Sequence, residues 1–233
     1  MLQAFGICEI GFGRVVNQDA MICEPERGLI VAIDGVSGCS DGKLAAEILR
    51  DTLLERCQGE PNADTLHAAF NLAHRRMMVR RTGNIRTLQA CGTTLWVSPN
   101  TGHGYTGHVG DSRLIQRLST GIVNLTIDHS TTAHLSDEEA WNHQSLLTRA
   151  VGSLDFLFTQ AEVRPIALKP KVLTLAITDG LHGYALPKRI EQVVFDNDPV
   201  DKAARSAYHI GLDGQHECTH GDNITVVAAR YVP

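Results

Sequence analysis

Apolar residues run almost unbroken through Leu29-Ile30-Val31-Ala32-Ile33 and through Val172-Leu173-Thr174-Leu175-Ala176-Ile177. Runs this short and this apolar predict strands buried on both faces. Shorter strand-like stretches cover residues 5–10, 20–23, 92–98, 105–109, 113–118 and 224–229, bordered by Gly, Pro or Asp. Between them the spacing changes to a helical one. Leu44, Ile48, Leu49 and Leu53 form one stripe, and Leu66, Phe70, Ala73 and Met77 form a second, with Asn62 placed to cap it. Ser136-Asp137-Glu138-Glu139 has the spacing of a capping box and predicts a short helix. Further helical patterns cover residues 187–195 and 199–209, the second ending near Gly211. Strands, paired helices, strands, helices and a closing strand predict sheets covered by helices, either α+β or α/β. No repeat and no Pro/Gly/Ser-rich linker divides the chain, so residues 1–233 are read as one domain.

Composition narrows this little. At 233 residues, 43% hydrophobic and 20% charged, the chain resembles an ordinary globular protein. No run approaches the ~18 apolar residues of a membrane span. Met1-Leu2-Gln3-Ala4 has no basic or apolar leader pattern, so the expected location is cytoplasmic. The net charge of −5 argues against a nucleic-acid partner. The six cysteines include no C-x-x-C pair and are expected to be free thiols in a reducing cytosol.

The chemistry lies in the aspartates. Asp34, Asp111 and Asp179 each follow a strand-like run, and Asp19 and Asp222 each precede one. Three of them sit beside glycine: Asp34-Gly35, Gly110-Asp111 and Asp179-Gly180. Any one could be a turn residue. Their recurrence at strand ends instead suggests loops converging above a rigid scaffold. Converging carboxylates repel by on the order of 4 kcal/mol per pair at ~4 Å, so they must take up protons or share cations. Oxygen-only donors favour Mg²⁺ or Mn²⁺ over zinc, and two such ions suit in-line displacement at phosphorus.

Arg14-Val15-Val16-Asn17-Gln18-Asp19-Ala20, Asp34-Gly35-Val36-Ser37-Gly38, Cys91-Gly92-Thr93-Thr94, His108-Val109-Gly110-Asp111-Ser112-Arg113, Leu125-Thr126-Ile127-Asp128-His129-Ser130, Leu147-Thr148-Arg149-Ala150-Val151-Gly152, Thr178-Asp179-Gly180-Leu181 and Asp222-Asn223-Ile224-Thr225 occur in that order. Together they resemble the metal-dependent serine/threonine protein phosphatases of type 2C, in their compact bacterial form, over residues 5–230. The resemblance implies an α+β fold, a four-layer αββα sandwich of two antiparallel sheets flanked by helix pairs. It implies a catalytic domain over residues 1–233 with a short flap at 131–146.

It also implies two Mn²⁺ or Mg²⁺ ions. Asp34 would bridge both, with Asp179 and Asp222 completing the first site. The Gly35 carbonyl would join the second site, and Asp19 would hold its waters. Asp111, with Asp179, matches the acids that hold a third metal in bacterial relatives. Arg14 would grip the substrate phosphate, and a metal-bridging hydroxide would be the nucleophile. The implied partners are phosphorylated proteins and a cognate Ser/Thr kinase whose action is reversed. The alternative is a non-catalytic regulator that binds phosphoproteins or a kinase through the same fold.

The chain departs from the pattern in places. Gln18 stands where Glu is usual, Ser37 where glycine is usual, and Val36 where many eukaryotic members have a proposed general-acid histidine. Two other motifs compete. Cys8 to Arg14 has the C-x5-R spacing of thiolate phosphatases, but that loop needs a helix after the arginine and residues 15–20 look extended. His216-Glu217-Cys218-Thr219-His220 matches H-E-x-x-H, and the flanking Gly214 and Gly221 place it in a loop. The basic run His74-Arg75-Arg76-Met77-Met78-Val79-Arg80-Arg81 is read as a solvated helix face, with a dock for phosphorylated or acidic partners as the sharper option. His129 is assigned a structural hydrogen bond.

Overall fold

The computed structural model describes all residues except Ser37, Ser40, 82–86, Asn142, Gln144 and 157–159. The Ser37 departure therefore lies outside the described residues, as do two positions of the flap.

Two antiparallel five-stranded sheets face each other. One runs β1 (Leu2–Glu9), β10 (Ile224–Tyr231), β9 (Leu173–Ile177), β6 (Arg113–Leu118), β7 (Gly121–Asn124). The other runs β2 (Ala20–Glu24), β3 (Leu29–Gly35), β4 (Ala90–Val97), β5 (His103–Val109), β8 (Glu162–Ala167). Helices α1 (Gly42–Arg56) and α2 (Ala63–Arg80) cover the β2–β8 sheet, and α5 (Pro187–Val193) and α6 (Val200–Cys218) cover the other. Two short helices are α3 (Asp137–Ala140) and α4 (Asp179–His182).

The apolar runs are strands because each faces two cores. On β3, Leu29, Val31 and Ile33 meet α1 and α2, while Ile30 and Ala32 meet the other sheet. On β10, Val226 and Ala228 face α5 and α6, while Val227 and Ala229 face inward. Three packed layers of side chains result, one between the sheets and one beneath each helix pair. Each fully buried Leu, Ile or Phe contributes about 1.5–3 kcal/mol. The second helical stripe is seated as its spacing requires. Leu66, Phe70, Ala73 and Met77 are buried, and the Asn62 side chain accepts from the Thr65 N–H at 2.9 Å. The capping box at Ser136 and Glu139 forms with both of its bonds.

The structure corrects the sequence reading at three places. Strands β7 and β8 had no predicted counterpart. Both lie at sheet edges, and β8 carries Pro165 and exposed residues, so neither shows a buried apolar run. Helix α6 does not end near Gly211 but continues to Cys218. Its glycines serve close packing: a Cβ on Gly214 would meet the Tyr184 carbonyl oxygen at 2.0 Å. His216 and Glu217 therefore lie on the last helical turn rather than in a loop. The two histidines still part company. The His216 ring lies 4.4 Å from the Phe12 ring, while His220 falls beyond the cap and its Nδ1 is 3.2 Å from the Tyr184 hydroxyl. Among the described residues, no helix is long and apolar enough to cross a membrane.

Candidate functional site

Strand alternation fixes where the acids point. Ala20 and Ile22 face the helices, so Asp19, one residue earlier, faces the space between the sheets. Asp34 shares the inner face of β3 with Ile30 and Ala32. Ala20 pairs with Ile33, which brings Asp19 and Asp34 to the same end of adjacent strands, where, after burial, the Asp19 charge helps to raise the Asp34 pKa. Asp179 opens α4 directly after β9, and Asp222 lies just before β10, the neighbouring strand. Asp111 follows β5 at a turn where Gly110 has φ +95° and a Cβ would meet Cys91 Sγ at 2.1 Å. Only glycine fits there, so Gly110 fixes the approach of Asp111.

These carboxylates sense one another. Burial raises Asp34 well above the usual carboxylate range, and repulsion from Asp179, Asp19, Asp111 and Asp222 adds to it. Asp179 is raised in the same way by burial and by Asp111, Asp222 and Asp19. Burial pushes Asp19 up to about 8, although Thr225 and Thr178 donate hydroxyls to its Oδ2 at 2.7 and 2.9 Å. Burial, then the Asp128 charge, pushes Asp111 up to about 6. Burial raises Asp222 against the opposing pull of Arg14. Sequence-distant acids thus lie buried within electrostatic reach of one another. Among the described residues, however, no three His, Cys, Asp or Glu side chains are drawn together tightly enough to form a ready-made metal cage.

Arg14 sits at the edge of this cluster. Its Nη2 donates to Asp222 Oδ2 at 2.7 Å and its Nε to the Gly221 carbonyl at 2.8 Å, with 36% of the side chain exposed. Gly35 closes β3, and the main chain of Gln18 crosses it, accepting from the Gly35 N–H at 3.2 Å. Cys8 is not an activated thiol, because burial pushes it up, and no helix follows Arg14. The six cysteines are all unpaired.

Several supporting residues were given no role by the sequence reading. Gln215, fully buried on α6, donates to the carbonyls of Gly180 and Asp222 at 2.9 and 2.8 Å and accepts from the Phe12 N–H at 2.8 Å. One side chain thus ties together the loops that carry Asp179, Asp222 and Arg14. Asn223 joins Gln18 and Val16 to the same end. His182 Nε2 donates to the Asp111 carbonyl at 3.0 Å, and burial holds this imidazole down to about 4. His129 does make a structural hydrogen bond, accepting from the Gly110 N–H at 3.0 Å. Replacing Gln215 with leucine should cost about 2–4 kcal/mol, because it strands one buried and two part-buried backbone groups. Urea denaturation of both proteins measures this, and a loss below about 0.5 kcal/mol would contradict the tie.

Beside Asp111 and Asp179 lies a cavity of about 230 Å³, roofed by Thr132, Asp137, Trp141 and Ser145 from the 131–146 segment. Arg113 fastens this roof. It holds Asp128 through two nitrogens and reaches Asp137 on α3 at 2.6 Å. Burial would raise Asp128, but the guanidinium outweighs it and keeps the carboxylate below its ordinary value.

Neither a family model nor a curated protein matches the chain. Solved structures do. The Mycobacterium tuberculosis serine/threonine phosphatase PstP/Ppp superposes with a TM-score of 0.85 at 20% identity, covering 100% of this chain and 99% of that one. The PPM Ser-Thr phosphatase MsPP from Mycobacterium smegmatis, in complex with cacodylate, gives 0.80 at 24% identity, covering 98% and 97%. PppA of Pseudomonas aeruginosa, described as a key regulatory component of T6SS, gives 0.76 at 23% identity with the same coverage. The catalytic domain of PstP has also been solved with 2 manganese ions. The chain therefore has the fold of the PPM, or type 2C, serine/threonine phosphatases.

Proposed function

We propose that this protein is a Mn²⁺- or Mg²⁺-dependent phosphatase that hydrolyses phosphoserine and phosphothreonine on proteins, reversing a partner kinase. What supports this is that Asp19, Asp34, Asp111, Asp179 and Asp222, from separate segments, lie near enough for their charges to add to burial in raising Asp34 and Asp179, while Arg14 pairs with Asp222. The donor set fits hard divalent ions: it is all oxygen, and Cys91, the neighbouring thiol, is held protonated by burial. Asp111 Oδ1 is buried with no hydrogen-bond partner, an acceptor left open for a ligand. Asp34, Asp179, Asp222 and the Gly35 carbonyl would hold two ions, Asp19 would order water, and Asp111 with Asp179 would offer a third position. Such ions, when bound, supply Lewis acidity toward phosphoryl oxygens and lower the pKa of water.

The chain's own groups do the rest. Arg14 presents a planar cation at the pocket edge, suited to two phosphoryl oxygens. Its bond to Asp222 orients it and holds its charge next to the acids. Gln215 and Asn223 fix the loops so that these groups need not reorganise during turnover. The roof of the cavity, tied down by Arg113, borders the space a phosphorylated side chain would enter.

The test is hydrolysis of p-nitrophenyl phosphate and of a phosphothreonine peptide with added Mn²⁺. Activity should vanish on chelation, return with Mn²⁺ and survive thiol alkylation. Alkylation-sensitive, chelator-resistant turnover would assign the chemistry to Cys8. No release above a metal-only blank would favour the non-catalytic regulator.

A further inference from the structure

Helices α1 and α2 face each other across a groove, lined on α1 by the margin of its core stripe and on α2 by a face outside the core. The α1 lining is Leu44, Glu47, Ile48, Asp51 and Thr52; the α2 lining is Leu72, Arg75, Arg76, Val79 and Arg80. Both follow the i, i+3, i+4, i+7, i+8 rule of a single helix face. They enclose a groove of about 700 Å³. Its stripe on α1 spans ~12 Å, room for about four extended residues. Val79 is 79% exposed there, so an apolar strip remains open to a partner.

The charges are divided. On the α1 side, Asp51 already pairs with Arg50. On the α2 side, Arg76 is held by Glu55 and Thr52. Among the described residues Arg75 and Arg80 have no ion-pair or hydrogen-bond partner, against Glu47 alone on the facing wall. In a chain of net charge −5, this is unspent positive charge along one wall of an apolar groove. The groove also starts close to the acids. Leu44 lies within one turn of Gly42, the first residue of α1, where an added Cβ would meet the Gly35 carbonyl oxygen at 2.6 Å.

We infer that this groove docks a segment of the phosphoprotein substrate that flanks the phosphorylated residue and carries acidic side chains toward α2. The inference rests on the phosphatase reading for its partner. Arg75 and Arg80 supply the electrostatic selection, and Val79, Leu72 and Leu44 supply the apolar contact. Docking of this kind lowers KM for matching substrates and leaves the chemical step alone.

The test compares three phosphothreonine peptides that differ only in their flanks (Glu, Gln or Lys), with p-nitrophenyl phosphate as the small control. Wild-type protein should favour the Glu-flanked over the Gln-flanked peptide by about tenfold in kcat/KM, carried by KM. The double variant Arg75→Glu with Arg80→Glu should lose that preference and turn over the Lys-flanked peptide better than wild type does. Its rate on p-nitrophenyl phosphate should be unchanged. Fluorescence anisotropy of labelled, unphosphorylated Glu-flanked peptide reads docking without turnover. Arginine-dependent binding with no hydrolysis of any substrate keeps the dock and sinks the phosphatase reading. Hydrolysis with no flank preference, or a preference that survives the double variant, overturns the dock, as does the absence of both binding and hydrolysis.

Discussion

Asp179→Asn is expected to lower p-nitrophenyl phosphate turnover about a thousandfold, while the chelated protein becomes more stable than wild type. The two effects have one cause. Asp179 is raised well above the normal range by burial and by the charges of Asp111, Asp222 and Asp19. An amide of the same shape removes one member of that repulsive set but keeps an oxygen acceptor. The metal-free fold is relieved of a like-charge cost, so its thermal midpoint should rise by several degrees. The same change removes a full negative charge from the donors that would hold the ions. Losing one electrostatic stabiliser of the transition state typically costs about 10²–10³ in rate, and a charged ligand stands at or beyond the upper end. A purely structural aspartate would show the opposite pattern, with stability lost and activity falling only in proportion. Undiminished activity in Asp179→Asn would refute the assignment of the site.

What the sequence made legible was what strand periodicity and position can encode. Asp34 and Asp179 end apolar runs, and those runs are strands whose two faces are both covered, so the carboxylates fall at one end of the sandwich. The stripe on α2 and its Asn62 cap were equally direct. Edge strands β7 and β8 were not, because half-exposed strands lack a continuous apolar signature. The end of α6 was hidden for a different reason. A glycine near the end of a helical pattern suggests termination, and only the contact of Gly214 with the Tyr184 carbonyl shows that it is there for packing. The supports of the site were the least visible. Gln215 and His182 act through hydrogen bonds to backbone groups as many as 203 positions away, and nothing local distinguishes them from surface polar residues; Asn223 stands in the Asp222–Thr225 motif, but its bonds to Gln18 and Val16 are not legible there.

In chelator the protein is expected to lose stability as pH rises from 7 to 8, and saturating Mn²⁺ should reduce that slope to the part carried by the buried thiols. The window is set by which groups are still exchanging protons. An unfolded aspartate titrates near 3.9, so above pH 7 the unfolded chain carries every one of them ionised. The folded, metal-free chain still retains protons there, because Asp19 is pushed up to about 8 and Asp34 and Asp179 are raised well above their usual value. A group raised on folding contributes stability in full below its unfolded pKa and loses it as pH climbs through the folded one. The sign is therefore a fall with rising pH. Asp111, at about 6, has already given up its proton and adds little. His108 and His182, held down to about 4 by burial, are neutral in the folded state and mostly neutral in the unfolded one, so they add little slope of their own. Each proton retained by the folded state is worth about 1.4 kcal/mol per pH unit. For a chain of this length that is about 3–6 °C in the thermal midpoint for the first proton, and more if two are held. Divalent ions replace those protons as the neutralising charge, so with Mn²⁺ the midpoint should be higher and fall less steeply across the same window. A flat midpoint in chelator, or a slope that Mn²⁺ leaves unchanged, would show that the acids do not share a common charge. The site would then lose its physical basis.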